Sequence, residues 1–309
     1  MKAQIKNIPA SILARLRNQA EVLERPFAEI LQYYAMERFL YRLSKTTYAE
    51  KFVLKGGLLF YVWNLPLRRP TRDIDFRGYV PSNRKSLFKI INAVITESVL
   101  EDGIIFDPQS VSVEETQIDA DDQGIRVKMT ALLERSRIPI QIDIGFSDEL
   151  ASKAETIEYP NFLHNLETVH MKGYPKEAVV AEKLHAMVHH AELNSRFKDY
   201  YDIWLLAENF EFKSQSLQKA IEKTFAKRQT EIPAERPVVL TSGFAEANRD
   251  RWKNFLSKIE LHNKEVEDFV NVTDGIWSFL EYPIQVSLSD KPSKLLYWSP
   301  RKGWKLILR

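Results

Sequence analysis

The sequence has no cysteine, which excludes disulfides, thiolate nucleophiles and any zinc site that needs sulfur ligands, and fits a reducing cytoplasm. Glycine is scarce, at 10 in 309 residues, so the adjacent pair Gly56-Gly57 stands out. Neither sign of charge dominates: 44 basic and 42 acidic residues leave a formal net charge of +2. Such a balance neither demands nor forbids a nucleic-acid partner, because a local patch matters more than the total. No apolar run approaches the ~18–20 residues of a membrane span. The first residues, MKAQIKNIPASILARLRNQAE, are charged and interrupted by Pro9, unlike a signal peptide. What is present is ordinary for a globular chain, with 44% hydrophobic and 28% charged residues. The length suits one large or two ordinary domains.

Periodicity and breakers organise the chain. Helices are expected over 9–24 and from Phe27 to Ser44, separated by Arg25-Pro26. Phe52-Val53-Leu54 is a short apolar strand closed by Gly56-Gly57, and Leu58 to Trp63 is a buried helix ended by Pro66 and Pro70. Asp73 to Phe76 alternates as a strand, and Leu87 to Leu100 is a helix. Val111 to Val113 and Ile125 to Leu132 flank an acidic turn at 119–124 and suggest a hairpin. Ile138 to Phe146 alternates again. The character changes near Tyr159-Pro160. Helices follow at 176–193, 197–208, 214–228, 244–260 and 263–280, and short strand-like runs lie between prolines at 285–309. The reading is α+β: a mixed domain over 1–158 and a mostly helical domain over 159–309.

Chemistry concentrates on three carboxylates. Asp73 and Asp75 are two apart on a strand, so they share a face, while Ile74 and Phe76 turn to the core. Two like charges held together raise each other's pKa, and a divalent cation removes that penalty. Ligands that are all oxygen favour a hard ion, Mg²⁺ or Mn²⁺. Asp143 has the same setting on a later strand. If the strands are neighbours, Asp73, Asp75 and Asp143 form one metal site suited to phosphoryl chemistry, with Asp143 also a base toward an incoming hydroxyl. The competing reading is solvated strand-edge carboxylates. Lys55-Gly56-Gly57 lies between a strand and a helix, where glycines let backbone N–H groups approach a phosphate; the plain alternative is a tight turn. It is neither a P-loop nor a dinucleotide fingerprint.

A strand, Gly-Gly, a helix and a strand with Asp-x-Asp, in that order, resemble the nucleotidyltransferase superfamily related to DNA polymerase beta. Its second glycine-motif position is often Ser; here it is Gly57, so that hydroxyl is absent. Residues 36–76, MERFLYRLSKTTYAEKFVLKGGLLFYVWNLPLRRPTRDIDF, and 175–206, PKEAVVAEKLHAMVHHAELNSRFKDYYDIWLL, resemble the AbiEii/AbiGii toxin nucleotidyltransferases. The resemblance implies a nucleotidyltransferase-fold domain with N-terminal helices over 1–158. It implies NMP transfer from an NTP·Mg²⁺ complex with release of pyrophosphate, RNA (tRNA) as acceptor, toxin–antitoxin or phage-defence biology, and a cognate antitoxin that need not touch the toxin. The nucleotide-binding positions it suggests are Lys55, Gly56, Gly57, Arg72, Lys183 and Arg196. The catalytic set is Asp73, Asp75, Asp143, Lys183 and Asp199, with Asp199 either orienting Lys183 or acting directly. From spacing alone, Arg196, Asp199 and Asp202 read as a helical salt-bridge ladder.

Other signals are weaker. His185 and His189 have zincin-like spacing, but Ala186 stands where the glutamate belongs. The acidic run at 119–124 fits a hairpin better than a calcium loop. Residues 291–309 carry six Lys or Arg and no acid, with Tyr297, Trp298 and Trp304. They read either as an RNA-binding tail or as an amphipathic hairpin covering the helical domain. Rival functions are transfer to a protein or an aminoglycoside-like small molecule, and a non-catalytic NTP- or RNA-binding module. A monomer is expected.

Overall fold

The structure is a computed structural model that describes residues 7–66, 70–119, 122–146, 154–164, 166–191, 195–261, 264–289 and 294–306. These residues form two compact units, one ending at Tyr174 and the other beginning at Pro175. The architecture is α+β, with a mixed sheet in the first unit and mostly helices in the second. No described helix is long and apolar enough to cross a membrane.

In the first unit, α1 (Ile8–Val22) starts where the Asn7 side chain accepts the Ala10 N–H, satisfying a helix-end donor. After Pro26 the chain re-enters helix as α2 (Phe27–Lys45). There follow β1 (Phe52–Lys55), α3 (Leu58–Val62), β2 (Asp73–Gly78) and α4 (Arg84–Ile95). The unit is completed by β3 (Ile105–Phe106), β4 (Ser112–Asp119), β5 (Asp122–Leu133), β6 (Ser136–Phe146), β7 (Glu155–Tyr159) and β8 (Val169–Gly173). The strands lie in the order β3-β5-β6-β2-β1-β8-β7, with β4 paired to β5. α4 begins three residues earlier than Leu87 and stops at Ile95, because Asn83 caps Ser86 and so starts the helix ahead of its apolar stripe.

Faces follow from the pleat. Ile74 and Phe76 of β2 and Ile140, Ile142 and Ile144 of β6 are buried. α2 packs against β6 and β8 and also against α4. Buried polar contacts of Arg42 and Glu37 tie α2 down. Arg42 makes two bonds to Asp102, at 2.7 and 3.0 Å. Glu37 pairs with Arg38 and accepts the Phe162 N–H at 2.8 Å. Burial pushes the Glu37 carboxyl up to about 7, against the pull of Arg38, as expected for a desolvated acid.

The hairpin expected around 119–124 is longer than its apolar core suggested: β4 runs to Asp119 and β5 starts at Asp122. Residues 120–121 of that acidic run lie outside the described residues. β7 and β8, absent from the sequence reading, pair antiparallel, and β8 lies parallel to β1.

The second unit contains α5 (Lys176–His190), α6 (Phe197–Asn209), β9 (Phe212–Lys213), α7 (Ser214–Lys227), α8 (Ser242–Ala247), α9 (Arg249–Lys258), α10 (Lys264–Glu267), α11 (Phe269–Ser287), β10 (Leu296–Ser299) and β11 (Gly303–Leu306). The helix expected over 244–260 is two helices meeting at Asn248, which caps neither end cleanly but bonds Phe244 and Arg251. The one over 263–280 is split at Asp268, which caps α11, and α11 then continues through Pro283. The tail is a hairpin. Trp298 is 6% exposed and donates to the Ala207 carbonyl at 2.7 Å, and Trp304 donates to the Phe279 carbonyl at 3.1 Å. Both indoles are committed to packing on Phe279. Arg301 is paired with Glu208 and Glu265. Residues 291–293 and 307–309 of the tail lie outside the described residues.

Candidate active site

The carboxylates meet because β2 lies between β1 and β6. β2 and β6 are parallel, with Asp75 beside Asp143 and Asp73 beside Gln141. One ligand oxygen from each of Asp73, Asp75 and Asp143 lies within 4.8 Å of the others. At that spacing and an effective dielectric of ~20, each pair repels by on the order of 3 kcal/mol. Positive charge nearby offsets that repulsion.

Two cations are built into the same face. Lys55 of β1 lies directly across from Asp75 and is 7% exposed. Arg126 of β5 lies across from Asp143, and its Nε and Nη2 donate to Asp143 Oδ1 and Oδ2, both at 2.8 Å. Gln141 Nε2 adds a bond to Oδ2 at 3.2 Å. The Asp143 hydrogen bond, and beyond it the charges of Asp143 and Asp73, raise the Arg126 pKa above its ordinary value. Parallel N–H bonds from a guanidinium fix the plane of a carboxylate as well as its position. Further along β2, Arg77 is buried and donates to the Phe146 carbonyl at 2.7 Å.

The glycines are explained by this crowding. Gly56 has φ +71, and a Cβ there would lie 1.9 Å from Asp75 Oδ2. Gly57 is in the helical region, but its Cβ would lie 2.1 Å from Thr71 Oγ1. Thr71 is buried, with its N–H bonded to the Tyr33 hydroxyl at 2.9 Å. Its hydroxyl therefore stands against the position that a side chain at 57 would fill. Arg72 is exposed, and its carbonyl accepts from Gln32.

Lys183, Asp199 and Arg196 come together in the second unit. Lys183 Nζ, on α5, lies 2.6 Å from Asp199 and 2.8 Å from Asp202 of α6. Arg196 Nε lies 2.7 Å from the other Asp199 oxygen. Both carboxylates are almost fully buried. Burial opposes the charge on Asp199, yet Lys183 and Arg196 outweigh it and hold the carboxyl below its usual range. This is tighter than the exposed ladder that spacing alone suggests. Lys183→Met is expected to leave two buried carboxylates without that cation and to destabilise the protein by ~3–5 kcal/mol; a melting temperature unchanged from wild type would contradict the pairing. His185 is used locally: it is buried, and its Nε2 lies 3.0 Å from the Thr230 hydroxyl. The acidic triad is the metal-competent group of three among the described residues.

Arg126, Gln141 and Thr71 were not singled out from the sequence. The pairing of Arg126 was within reach, because β5 and β6 are joined by only Glu134 and Arg135. Arg126 and Asp143 each lie seven residues from the pair Leu133–Ser136 that closes the hairpin.

Residues 38–280 match the nucleotidyl transferase AbiEii toxin family of the type IV toxin–antitoxin system. The chain belongs to this family. A search among curated proteins returns no match. Among solved structures, JHP933 from Helicobacter pylori is 14% identical, with a TM-score of 0.50 over 84% of this chain and 93% of its own. A candidate nucleotidyltransferase from H. pylori is also 14% identical, with a TM-score of 0.49 over 85% of this chain and 98% of its own. At such identity the likeness to JHP933 concerns the fold alone. Family membership brings nucleotidyl transfer, an NTP substrate and an antitoxin partner.

Proposed function

We propose that the chain transfers a nucleoside monophosphate from an NTP, bound with Mg²⁺ or Mn²⁺, to an RNA acceptor, with tRNA the first candidate. The observation that supports this most is the convergence of Asp73, Asp75 and Asp143 within 4.8 Å, in a family of nucleotidyltransferases. The donor set fits a hard divalent cation: all oxygen, three formal negative charges, and a Gly56 surface against Asp75 that no other side chain could leave open. Asp73, Asp75 and Asp143 would hold the cation, which when bound would supply positive charge to the triphosphate and acidity to the acceptor hydroxyl.

The chain's own groups do the rest. Asp143 takes the acceptor proton as the hydroxyl oxygen bonds to the α-phosphorus; the bond from that phosphorus to the β-phosphate bridging oxygen breaks, and pyrophosphate leaves. Gly56 and Gly57 let the main chain come close to the phosphates, and Lys55 and Arg72 supply charge beside them. The family resemblance adds Lys183 and Arg196 of the second unit as candidate phosphate-binding residues, with Asp199, which pairs with both, orienting Lys183. The protein works as a monomer in the cytoplasm, its place in phage defence coming from the toxin–antitoxin pair.

The test is incubation with each α-³²P-labelled NTP, Mg²⁺ or Mn²⁺, and total RNA. Label is expected on RNA with at least one NTP. Label on protein or on an aminoglycoside instead would move the reading to that acceptor class. NTP binding without label transfer to any acceptor would replace it with a binding module.

A further inference from the structure

The triad's neighbourhood contains a cation that the transfer reaction does not itself require. Arg126 binds both oxygens of Asp143 in a two-bond fork, at 2.8 Å each. Its partner carboxylate side chain is 8% exposed while its own is 31% exposed, so Arg126 is the more solvent-accessible member of the pair. Glu114, its neighbour on β4, is paired with Lys128, so the two-bond contact of Arg126 is with Asp143. Asp143 is also held from its own strand by Gln141. Losing the arginine therefore removes a full positive charge from the triad but only part of what orients the carboxylate.

We propose that Arg126 is a positioning residue for Asp143 and the resident counter-charge of the triad, so that it weakens divalent-cation binding while aligning the carboxylate for transfer. The proposal rests on the metal-dependent reading given above. Charge and alignment can be separated chemically. Lysine keeps the charge but cannot make two parallel bonds to one carboxylate, whereas glutamine removes the charge and keeps a donor. A positive charge on the partner of a metal ligand opposes binding of a divalent ion even at a surface-like dielectric. An outer partner of a metal ligand commonly changes activity by ~10–100-fold.

The experiment measures Mn²⁺ binding by calorimetry and NTP turnover for wild type, Arg126→Gln and Arg126→Lys, with a thermal melt of each. Arg126→Gln is expected to bind Mn²⁺ at least threefold more tightly than wild type and to turn over at least tenfold more slowly, with KM for NTP within twofold. Arg126→Lys is expected to keep wild-type Mn²⁺ affinity and to lose the same turnover. A residue that merely braces the sheet would lower the melting temperature and leave Mn²⁺ affinity unchanged. Mn²⁺ affinity unchanged or weakened in Arg126→Gln, or turnover within twofold of wild type in either variant, overturns the proposal. If Arg126→Gln melts below the assay temperature, the lysine variant decides alone, on turnover at unchanged affinity. Failure of wild type to bind Mn²⁺ would overturn the metal-dependent reading as well; wild-type binding with no response at Arg126 overturns this proposal only.

Discussion

Asp73→Asn and Asp75→Asn are each expected to reduce nucleotidyl transfer by about 10³-fold or more while the protein still folds. A bound metal is worth several kcal/mol of charge stabilisation in such reactions, and each ~1.4 kcal/mol is tenfold in rate. Asparagine keeps the size and one oxygen of the side chain but not its charge, so the loss falls on the ion and not on packing. Both positions are half-buried on the open face of β2, and their core-side neighbours Ile74 and Phe76 are untouched. The melting temperature should therefore stay within a few degrees of wild type, as for most substitutions outside the core. The measurement is labelled-NTP transfer beside a thermal melt, with growth arrest on expression as the cellular readout. Transfer retained within tenfold of wild type in either variant would remove the carboxylates from the mechanism.

Gly56→Ala is expected to be nearly as damaging, for a steric reason. The added methyl would sit 1.9 Å from Asp75 Oδ2 and 2.6 Å from its Cγ, and the cheapest escape is rotation of the Asp75 carboxylate away from the site. The left-handed backbone at Gly56, φ +71, adds roughly 1–2 kcal/mol for any side chain. Together these predict a fall in melting temperature of roughly 2–4 °C for a chain of this size and a transfer rate down by about 10²-fold or more, since one ligand is displaced. Gly275→Ala is the control. Its Cβ would meet only Trp204 Cδ1, at 3.9 Å, and alanine inside a helix is favoured by up to ~1 kcal/mol. Gly56→Ala with wild-type transfer would show that Asp75 need not occupy its present position.

How much of this was legible depended on the range of the interaction. Asp73, Asp75 and Asp143 were readable because a strand buried on one face alternates with period two, and acids interleaved with Ile and Phe break no other rule. That β2 and β6 are neighbours was not readable, since parallel pairing across more than sixty residues leaves no local mark. β7 and β8 escaped for a related reason: Glu155–Tyr159 and Val169–Gly173 are five-residue strands carrying charged residues, and their order comes from β8 pairing with β1 and β7 pairing with β8. The Lys183–Asp199 cluster could be found only through resemblance; spacing gave a ladder on one helix, while the structure adds a lysine from another helix and buries both carboxylates. In the tail, composition left two readings open. The indole N–H groups of Trp298 and Trp304 bond to backbone carbonyls, which is a matter of tertiary packing that composition cannot carry.

The central position of β2 has a consequence for the timing of synthesis. Its two aspartates are translated early, but their third companion is Asp143 on β6, and β6 takes its place only between β2 and β5. The other flank of β1 is closed later still, by β8 at Val169–Gly173. A nascent chain on the ribosome therefore carries an incomplete acid cluster until β6 has emerged and inserted. A chain that stops before Ser136 lacks β6 and with it Asp143, the third carboxylate of the cluster.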